Sequence, residues 1–270
     1  MRVCIVGRGK VGHALSRALA DASVEHVLLA AQKPPEPFPV AQLYVLAVPD
    51  ARIREVAAEL SERVERGCCV VHCAGARDVS ELAPLSARGV HVGVLHPLVS
   101  FASARGGTSL GDSTFTTFGD VRATAAARRL CKLLGARCVR LDAAPGPAYH
   151  AAAALVANGT AALTHAGVRI LCELGFSRRA AERALASLLT SVAVNVREVG
   201  VPAALTGPVV RGDVATIERH LAALGALDRG LRRTYAALQP VIVDSALEAG
   251  LPTHVARRIR RATAPDTHER

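Results

Sequence analysis

Short apolar runs alternate with helical patterns through the first half of the chain. Runs rich in β-branched residues occur at Val3–Val6, Leu43–Val48 and Cys68–Cys73. Continuous apolar runs of this length are typical of strands buried on both faces of a parallel sheet. Between them, apolar residues recur at helical spacing, as from Val11 to Leu19 and from Ile53 to Val64. The pattern predicts an α/β fold with a doubly wound, mostly parallel sheet.

Further strands are predicted at Val27–Ala31, Val90–Leu95, Phe115–Phe118 and Cys138–Leu141, with a helix over Ala123–Leu134. The strand at Phe115–Phe118 is expected at an edge of the sheet, because the segment before it is rich in Gly, Ser and Thr. One connection departs from the usual alternation. Four prolines between positions 34 and 39 stand where a helix would follow the second strand. Because proline excludes a helix there, we expect a short extended loop.

The second half of the chain is helical throughout. Helices are predicted over 149–174, 178–199, 213–225, 228–249 and 253–262, with glycines as C-terminal stops. The first of these is rich in Ala on most sides, as a buried helix would be. The pattern predicts a dinucleotide-binding domain over 1–145, a helical domain over 148–263 that forms a homodimer, and a disordered tail over 264–270.

A turn rich in glycine directly follows the first strand. Gly7 allows an unusual backbone conformation, Gly9 leaves room for a pyrophosphate, and Gly12 lets the next helix lie close to the strand. The amide groups at the start of that helix then face an anion. The cofactor-binding residues predicted here are Gly7, Arg8, Gly9, Lys10, Val11 and Gly12. A purely structural turn is the alternative.

The end of the second strand bears on which dinucleotide would bind. An Asp or Glu at this position, about 20 residues beyond the glycines, would bind the ribose 2′-hydroxyl of NAD. This chain has Gln32 and Lys33 there, and Lys33 with Arg8 would neutralise a 2′-phosphate. The residues therefore favour NADP over NAD, although Lys33 could also be simply a loop cation.

The ends of four predicted strands bring further residues to one crevice, since ligands bind beyond the carboxyl ends of parallel strands. These residues are Gly7, Val48, Pro49, Ala74, Gly75 and His96. His96 either lines the nicotinamide pocket or is a hydrogen-bonded turn residue before proline. His72, inside an apolar run, is expected to be a core histidine.

Composition narrows the function classes. The net charge is +10 and aromatic residues make up 3 % of the chain, without the alternation of cations and rings that a base-stacking surface needs. No specific nucleic-acid site is therefore expected. The seven cysteines show neither metal-ligand spacing nor a disulfide framework, so free thiols in a reducing compartment are expected. No run is long enough to span a membrane, and we expect a cytoplasmic protein.

Several longer motifs resemble one family. They are Gly7-x-Gly9-x-x-Gly12, Leu46-Ala47-Val48-Pro49-Asp50, His72-Cys73-Ala74-Gly75-Ala76, His96-Pro97-Leu98-x-Ser100-Phe101, Tyr149-His150 with Asn158, and Leu205-Thr206-Gly207-Pro208-x-x-Arg211-Gly212-Asp213. Together they resemble Rossmann-like proteins whose C-terminal half is catalogued as domain of unknown function 2520. Those proteins are similar to ketopantoate reductase, pyrroline-5-carboxylate reductase and 6-phosphogluconate dehydrogenase.

The resemblance implies an NADP-linked oxidoreductase that reduces the carbonyl or imine of a small carboxylate, with ketopantoate as the first substrate to consider. His150, at the start of a helix, is the first candidate for proton donor, and Asn158 lies two turns further on. Alternatively, His150 only stabilises the linker. Asn195 is either a second polar residue of the cavity or part of a solvated helix face.

Arg211 is the candidate for binding a substrate carboxylate, because a guanidinium offers two parallel hydrogen bonds. An ion pair with Asp213, which is predicted to cap the next helix, is the alternative. Two departures from the family pattern, the proline-rich loop and Ala74 where Ser is common, bear on cofactor binding. The rival interpretation is a non-catalytic nucleotide-binding or sensing protein.

Overall fold

The computed structural model describes residues 1–32, 35–103, 109–144 and 146–264. Lys33 and most of the predicted tail, residues 265–270, lie outside the described residues. The strands are β1 (Val3–Val6), β2 (His26–Leu29), β3 (Leu43–Leu46), β4 (Cys69–His72), β5 (His91–Pro97), β6 (Thr114–Gly119) and β7 (Arg137–Arg140). The helices among them are α1 (Lys10–Asp21), α2 (Ile53–Ser61), α3 (Ala83–Ser86) and α4 (Val121–Leu133).

The strands form one seven-stranded sheet in the order β2-β1-β3-β4-β5-β6-β7. Strands β1 to β5 are parallel, β6 is antiparallel to β5, and β7 is parallel to β6. Because β2 and β3 lie on opposite sides of β1, the connections change direction between β1 and β3. This is the point at which an open α/β sheet has its ligand crevice. The predicted α/β fold is confirmed.

The prediction that Phe115–Phe118 forms an edge strand is wrong. The corresponding strand, β6, lies between β5 and β7. The Thr117 hydroxyl donates a hydrogen bond of 2.8 Å to the Val94 carbonyl, so a polar side chain is satisfied inside the sheet. The polarity of the segment therefore did not reveal its position.

Helices cover both faces of the sheet. On one face, the buried side chains of α1 and α4, including Leu15, Leu19 and Leu130, pack against β1 and its neighbours. On the other face, Ile53 and Val56 of α2 belong to a second buried cluster. Burial of apolar surface on both sides explains why the strands read as continuous apolar runs rather than alternating ones.

The proline-rich connection contains neither helix nor strand in its described part, residues 35–42. The Phe38 ring stacks on Tyr44 at a centroid distance of 5.9 Å. The Tyr44 hydroxyl donates to the Pro39 carbonyl at 2.9 Å and accepts from the Ala41 amide at 3.0 Å. The described part of this connection contains no helix, as predicted, and these contacts anchor it on β3.

The helices of the second half are α5 (Gly146–Glu173), α6 (Arg178–Val199), α7 (Val214–Leu227), α8 (Arg229–Glu248) and α9 (Thr253–Ala262). The predicted helical region is confirmed. The chain divides into two compact units, Met1–Ala157 and Asn158–Arg270, so the division falls within α5. The boundary predicted near residues 145–148 stays a prediction, and Pro145 lies outside the described residues.

The second unit has one well-buried core. Side chains from α7, α8 and α9 form it, with Ile217, Val243 and Ile259 fully buried. By contrast, Val168 is the buried residue of α5 and Ala181 that of α6. Within the described residues, no helix combines the length and the hydropathy that a membrane crossing requires.

Candidate functional site

The glycine-rich turn between β1 and α1 has a geometry that excludes larger residues at two positions. Gly7 has a φ of +124°, and a Cβ atom there would lie 2.3 Å from the Ala47 carbonyl oxygen. A Cβ atom at Gly12 would lie 1.8 Å from the Gly7 carbonyl oxygen, so α1 begins directly against the end of β1. At Gly9 the nearest atom is 3.9 Å away, which leaves open space above the backbone.

The first turn of α1 is open to an anion. Its cap residue is Gly9, which makes no side-chain cap hydrogen bond, and no acidic residue lies in the first turn of this helix. The unsatisfied N–H groups and the helix dipole both favour a negative charge at this position. Arg8 and Lys10, exposed on either side of Gly9, add positive charge.

A cavity of about 300 Å³ lies at this end of the sheet, where the connections change direction. Its lining residues are Gly7, Arg8, Gly9, Ala30, Ala31, Gln32, Ala47, Val48, Pro49 and Arg52. Among the described residues, this lining carries two cationic side chains, Arg8 and Arg52, and no carboxylate. The structure thus brings together five of the predicted cofactor-binding residues, and their role in binding stays a prediction.

Arg52 is a lining residue that the sequence analysis missed. It follows Pro49 in the turn that leads into α2, and its guanidinium forms an ion pair of 2.5 Å with Glu55. The available signal was a cation four residues beyond the end of the predicted strand Leu43–Val48.

Four side chains meet near the carboxyl end of β5. His96 Nδ1 lies 2.8 Å from the Tyr149 hydroxyl, which in turn lies 2.7 Å from Thr116 Oγ1. The His150 ring lies 6.2 Å from the His96 ring, measured between centroids. We call His96, Thr116, Tyr149 and His150 the histidine cluster.

Gly75 supports this cluster from the neighbouring strand end. A Cβ atom at Gly75 would lie 2.7 Å from three atoms of the His96 imidazole, so the ring lies with its face on the glycine backbone. A larger residue at position 75 would displace the ring. Gly75, predicted to bind the cofactor, and His96, a candidate to line the nicotinamide pocket beside the reacting atoms, are therefore in direct contact.

The pKa of His96 is lowered to about 4, first because the ring is partly buried and then because a positive charge on His150 disfavours a second one. His96 is therefore neutral at physiological pH. Burial also raises the pKa of the Tyr149 hydroxyl. The cluster thus combines an uncharged imidazole with a protonated phenol, two groups that can form hydrogen bonds without carrying charge.

Tyr149 and Thr116 were missed as site residues. Tyr149 directly precedes His150 in a chain that contains three tyrosines. Thr116 is opposite His96 in the antiparallel pairing of β5 with β6. The first could have been found from its position in the motif, whereas the second depends on strand register.

His72 behaves as the core histidine that was expected. It is fully buried, and its Nε2 lies 3.2 Å from the Asp78 carbonyl oxygen. Its Nδ1 accepts a hydrogen bond of 3.3 Å from the amide of Ala74, and burial lowers its pKa. These contacts shape the end of β4 beside the histidine cluster.

Three further predicted residues lie in the second unit. Asn158, Asn195 and Arg211 are exposed on its surface, and their part in a site stays a prediction. Asp213 caps α7 as expected: Oδ1 accepts from the Thr216 amide at 3.0 Å and Oδ2 from its hydroxyl at 2.7 Å. Both roles considered for Arg211, substrate binding and an ion pair with Asp213, stay predictions.

Metal ions and cysteine thiols are two further kinds of functional group to consider. Across the described ranges, no group of three His, Cys, Asp or Glu side chains is arranged to hold a metal ion. All seven cysteines are free, and Cys4, Cys69 and Cys131 are buried.

The fold and the sheet-end cavity define a Rossmann-like protein with a helical C-terminal region. The family described as Rossmann-like domain matches residues 33–97, and the family described as Domain of unknown function (DUF2520) matches residues 113–241. The two matches follow one another along the chain, the first in the region of the sheet and the second from β6 into α8. Among curated protein sequences, none matches it.

Solved structures show the same fold over most of the chain. A protein from Bacteroides fragilis described as a candidate NADP oxidoreductase is 21 % identical, with 89 % of this chain and 97 % of that chain covered and a TM-score of 0.70. Protein TM1727 from Thermotoga maritima is 22 % identical, with 92 % and 99 % covered and a TM-score of 0.68. A reductive aminase from Aspergillus terreus in complex with NADPH and ethyl-5-oxohexanoate is 14 % identical, with 92 % and 94 % covered and a TM-score of 0.57.

Proposed function

We propose that this protein is an NADP-dependent oxidoreductase that reduces the carbonyl or imine of a small carboxylate substrate. One observation carries the proposal: the edge of the sheet that holds the carboxyl ends of β1 to β5 carries both an anion-accepting helix start with its cavity and the histidine cluster. Structures of the same fold include an NADPH-bound reductive aminase, which supports a reductase. When bound, NADPH supplies the hydride.

The residues present fit a dinucleotide phosphate. The open space at Gly9 and the uncapped start of α1 would hold the pyrophosphate. The cavity beside Gln32 has cationic but no acidic lining, which favours a 2′-phosphate over the bare ribose of NAD. NADP is therefore the preferred cofactor, and NAD remains an alternative.

The substrate side rests on the predicted polar residues. His150, exposed and next to His96, would donate the proton that completes the reduction, and Asn158 would orient the reacting group. Arg211 would bind the substrate carboxylate, with Asn195 as a further polar contact. A ketopantoate-like 2-oxo acid is the first substrate to test. The seven free thiols favour a reducing compartment such as the cytoplasm.

Calorimetric titration with NADPH and NADH tests the cofactor. We expect micromolar binding with NADPH preferred. Gly9→Asp should abolish binding, because its carboxylate would occupy the open space and repel the pyrophosphate. Gly111→Asp is the matched control, since the nearest atoms to its Cβ are at ordinary contact distances and the site is outside the cavity.

The titration, combined with an activity assay, also distinguishes the reductase from the rival function. Failure of both dinucleotides to bind the native protein would overturn the proposal. Binding of NADPH without turnover of any 2-oxo acid or imine would favour the non-catalytic nucleotide-binding or sensing protein.

We further propose a homodimer through the helical region. Leu155 of α5 is 76 % exposed and Leu188 of α6 is 57 % exposed, and exposed apolar side chains on two long helices favour association.

Light scattering tests the homodimer. The native protein should give twice the chain mass, and Leu188→Asp should give the mass of a monomer. Val121→Asp, at a position on α4 that is 70 % exposed, should leave the dimer intact. A monomeric native protein would contradict the proposal.

A further inference from the structure

The Tyr149 hydroxyl connects two groups that would otherwise be separate. It is within hydrogen-bond distance of His96 Nδ1, at 2.8 Å, and of Thr116 Oγ1, at 2.7 Å. A phenol carries one proton, so it donates to one neighbour and accepts from the other. Two arrangements of protons are therefore conceivable, and they give His96 opposite tautomers.

Burial of Thr116 decides between them. This residue is 6 % exposed, and within the described part of the chain the Tyr149 hydroxyl is the hydrogen-bond partner of its Oγ1. If Tyr149 donated to Thr116, the Thr116 hydroxyl proton would be buried without an acceptor, which is unfavourable. Thr116 therefore donates to Tyr149, and Tyr149 donates to His96 Nδ1.

The direction of these hydrogen bonds sets the state of His96. An imidazole that accepts at Nδ1 and is neutral carries its proton on Nε2. Burial and the charge of His150 lower the pKa of His96, which keeps the ring neutral. Gly75 holds the face of the ring, so the ring is fixed in position as well as in tautomer.

We propose that Thr116 and Tyr149 position His96 as a neutral Nε2–H hydrogen-bond donor, which makes the site prefer a substrate carbonyl to a protonated imine. A carbonyl oxygen accepts such a hydrogen bond, whereas the nitrogen of a protonated imine is itself a donor. The positive charge of an iminium would also be repelled by a protonated His150. The inference rests on the proposed function and narrows its substrate class.

The reaction then balances with defined roles. NADPH, when bound, would supply the hydride for the carbonyl carbon and leave as NADP⁺. The carbonyl oxygen would take one proton from His150, and His96 would keep its own proton while it stabilises the developing negative charge. Tyr149 is a positioning residue in this scheme, because it acts through His96.

Nitrogen-15 NMR of the histidine rings tests the tautomer without any turnover. We expect His96 as the neutral Nε2–H form between about pH 6 and pH 8, and a mixture of tautomers in Tyr149→Phe and in Thr116→Val. The control is Tyr235→Phe, which removes a similar contact elsewhere, since the Tyr235 hydroxyl lies 2.9 Å from His220 Nδ1. This variant should leave the tautomer of His96 unchanged. An Nδ1–H or a charged His96 in the native protein would overturn the inference.

Kinetics test the substrate class. With NADPH, native protein should have a kcat/KM for a 2-oxo acid at least about tenfold above that for a cyclic imine of similar size. Tyr149→Phe should narrow this ratio through kcat, with NADPH affinity retained. If native protein preferred the imine, the inferred carbonyl preference would be wrong, but the proposed reductase function would stand. Binding without turnover of either substrate would instead overturn the proposed function and the carbonyl preference with it, while the NMR result would stand.

Discussion

The glycine-rich turn and the histidine cluster lie at the same edge of the sheet but are built differently. The turn uses consecutive residues, Gly7 to Gly12, and its groups are mainly backbone N–H. The cluster uses side chains from β5, β6 and α5, with His96 and Tyr149 53 positions apart in the chain. Backbone sites tolerate few residue types, whereas the cluster depends on the packing that brings distant segments together.

This difference predicts how each region responds to substitution. In the turn, a new side chain meets main-chain atoms that cannot move independently of the sheet. In the cluster, a new side chain meets rings and hydroxyls, which can shift or lose a hydrogen bond while the fold persists. Turn substitutions should therefore affect folding or cofactor binding, and cluster substitutions should mainly affect turnover.

The largest effect is expected for Gly12→Val. Its Cβ would lie 1.8 Å from the Gly7 carbonyl oxygen, so α1 must move away from β1. We expect a loss of about 3 kcal/mol or more of unfolding free energy, measured by denaturant titration. Gly9→Ala, where the nearest atom is 3.9 Å away, should stay close to native stability. Equal stability of the two variants would show that α1 is not held this closely.

Next in size is His150→Ala. Loss of the proton donor should lower kcat about 100-fold, with NADPH affinity unchanged, because the residue lies in the cluster and not in the cavity. Steady-state kinetics and calorimetry measure the two quantities separately. His254→Ala, at an exposed position of α9, is the control. If kcat of His150→Ala equalled the native value, another group would have to donate the proton.

A smaller effect is expected for Gly75→Ala. The added methyl group would come 2.7 Å from the His96 ring, which must tilt away. We expect a loss of about 1–2 kcal/mol of stability and a reduced kcat, since the ring can partly relax. Thermal unfolding and kinetics of the same preparation check both. Gly111→Ala should change neither, and an unchanged kcat in Gly75→Ala would contradict the contact between ring and glycine.

The smallest effect is the contribution of His96 to pH-dependent stability. Its folded pKa of about 4 lies below the ordinary value of 6.5, so the unfolded chain takes up a proton first as the pH falls. The contribution is complete above about pH 6.5 and decreases as the pH falls from there towards 4. We expect a loss of about 1 kcal/mol by pH 5, a figure that allows for solvent screening of the partly exposed ring.

Denaturant unfolding at several pH values between 7 and 5 tests whether the free energy of unfolding falls as the pH falls. The pH dependence should be weaker in His96→Asn than in the native protein. The remaining slope should include His72, whose pKa is lowered in the same direction. If the free energy of unfolding changed equally with pH in native protein and variant, His96 would have the same pKa in the folded and the unfolded chain.

Much of this molecule follows from local sequence. The β-branched runs, the glycines at positions 7 and 12 and the prolines after β2 indicate their structures through steric rules that act over a few residues. The same holds for Asp213 as a cap. The cavity residues that follow strand ends were also predictable, because all parallel strands of a sheet place their carboxyl ends at one edge.

What the sequence alone determined is therefore the order and type of the elements and the turn at Gly7–Gly12, since these depend on local sterics and hydrophobic period. Only the tertiary structure decided that β6 is an interior strand and that Thr116 faces Tyr149 and His96. Strand register and helix placement depend on the sum of many weak long-range contacts. The neutral state of His96 is decided there too, because its burial and the nearby charge of His150 arise only in the folded chain.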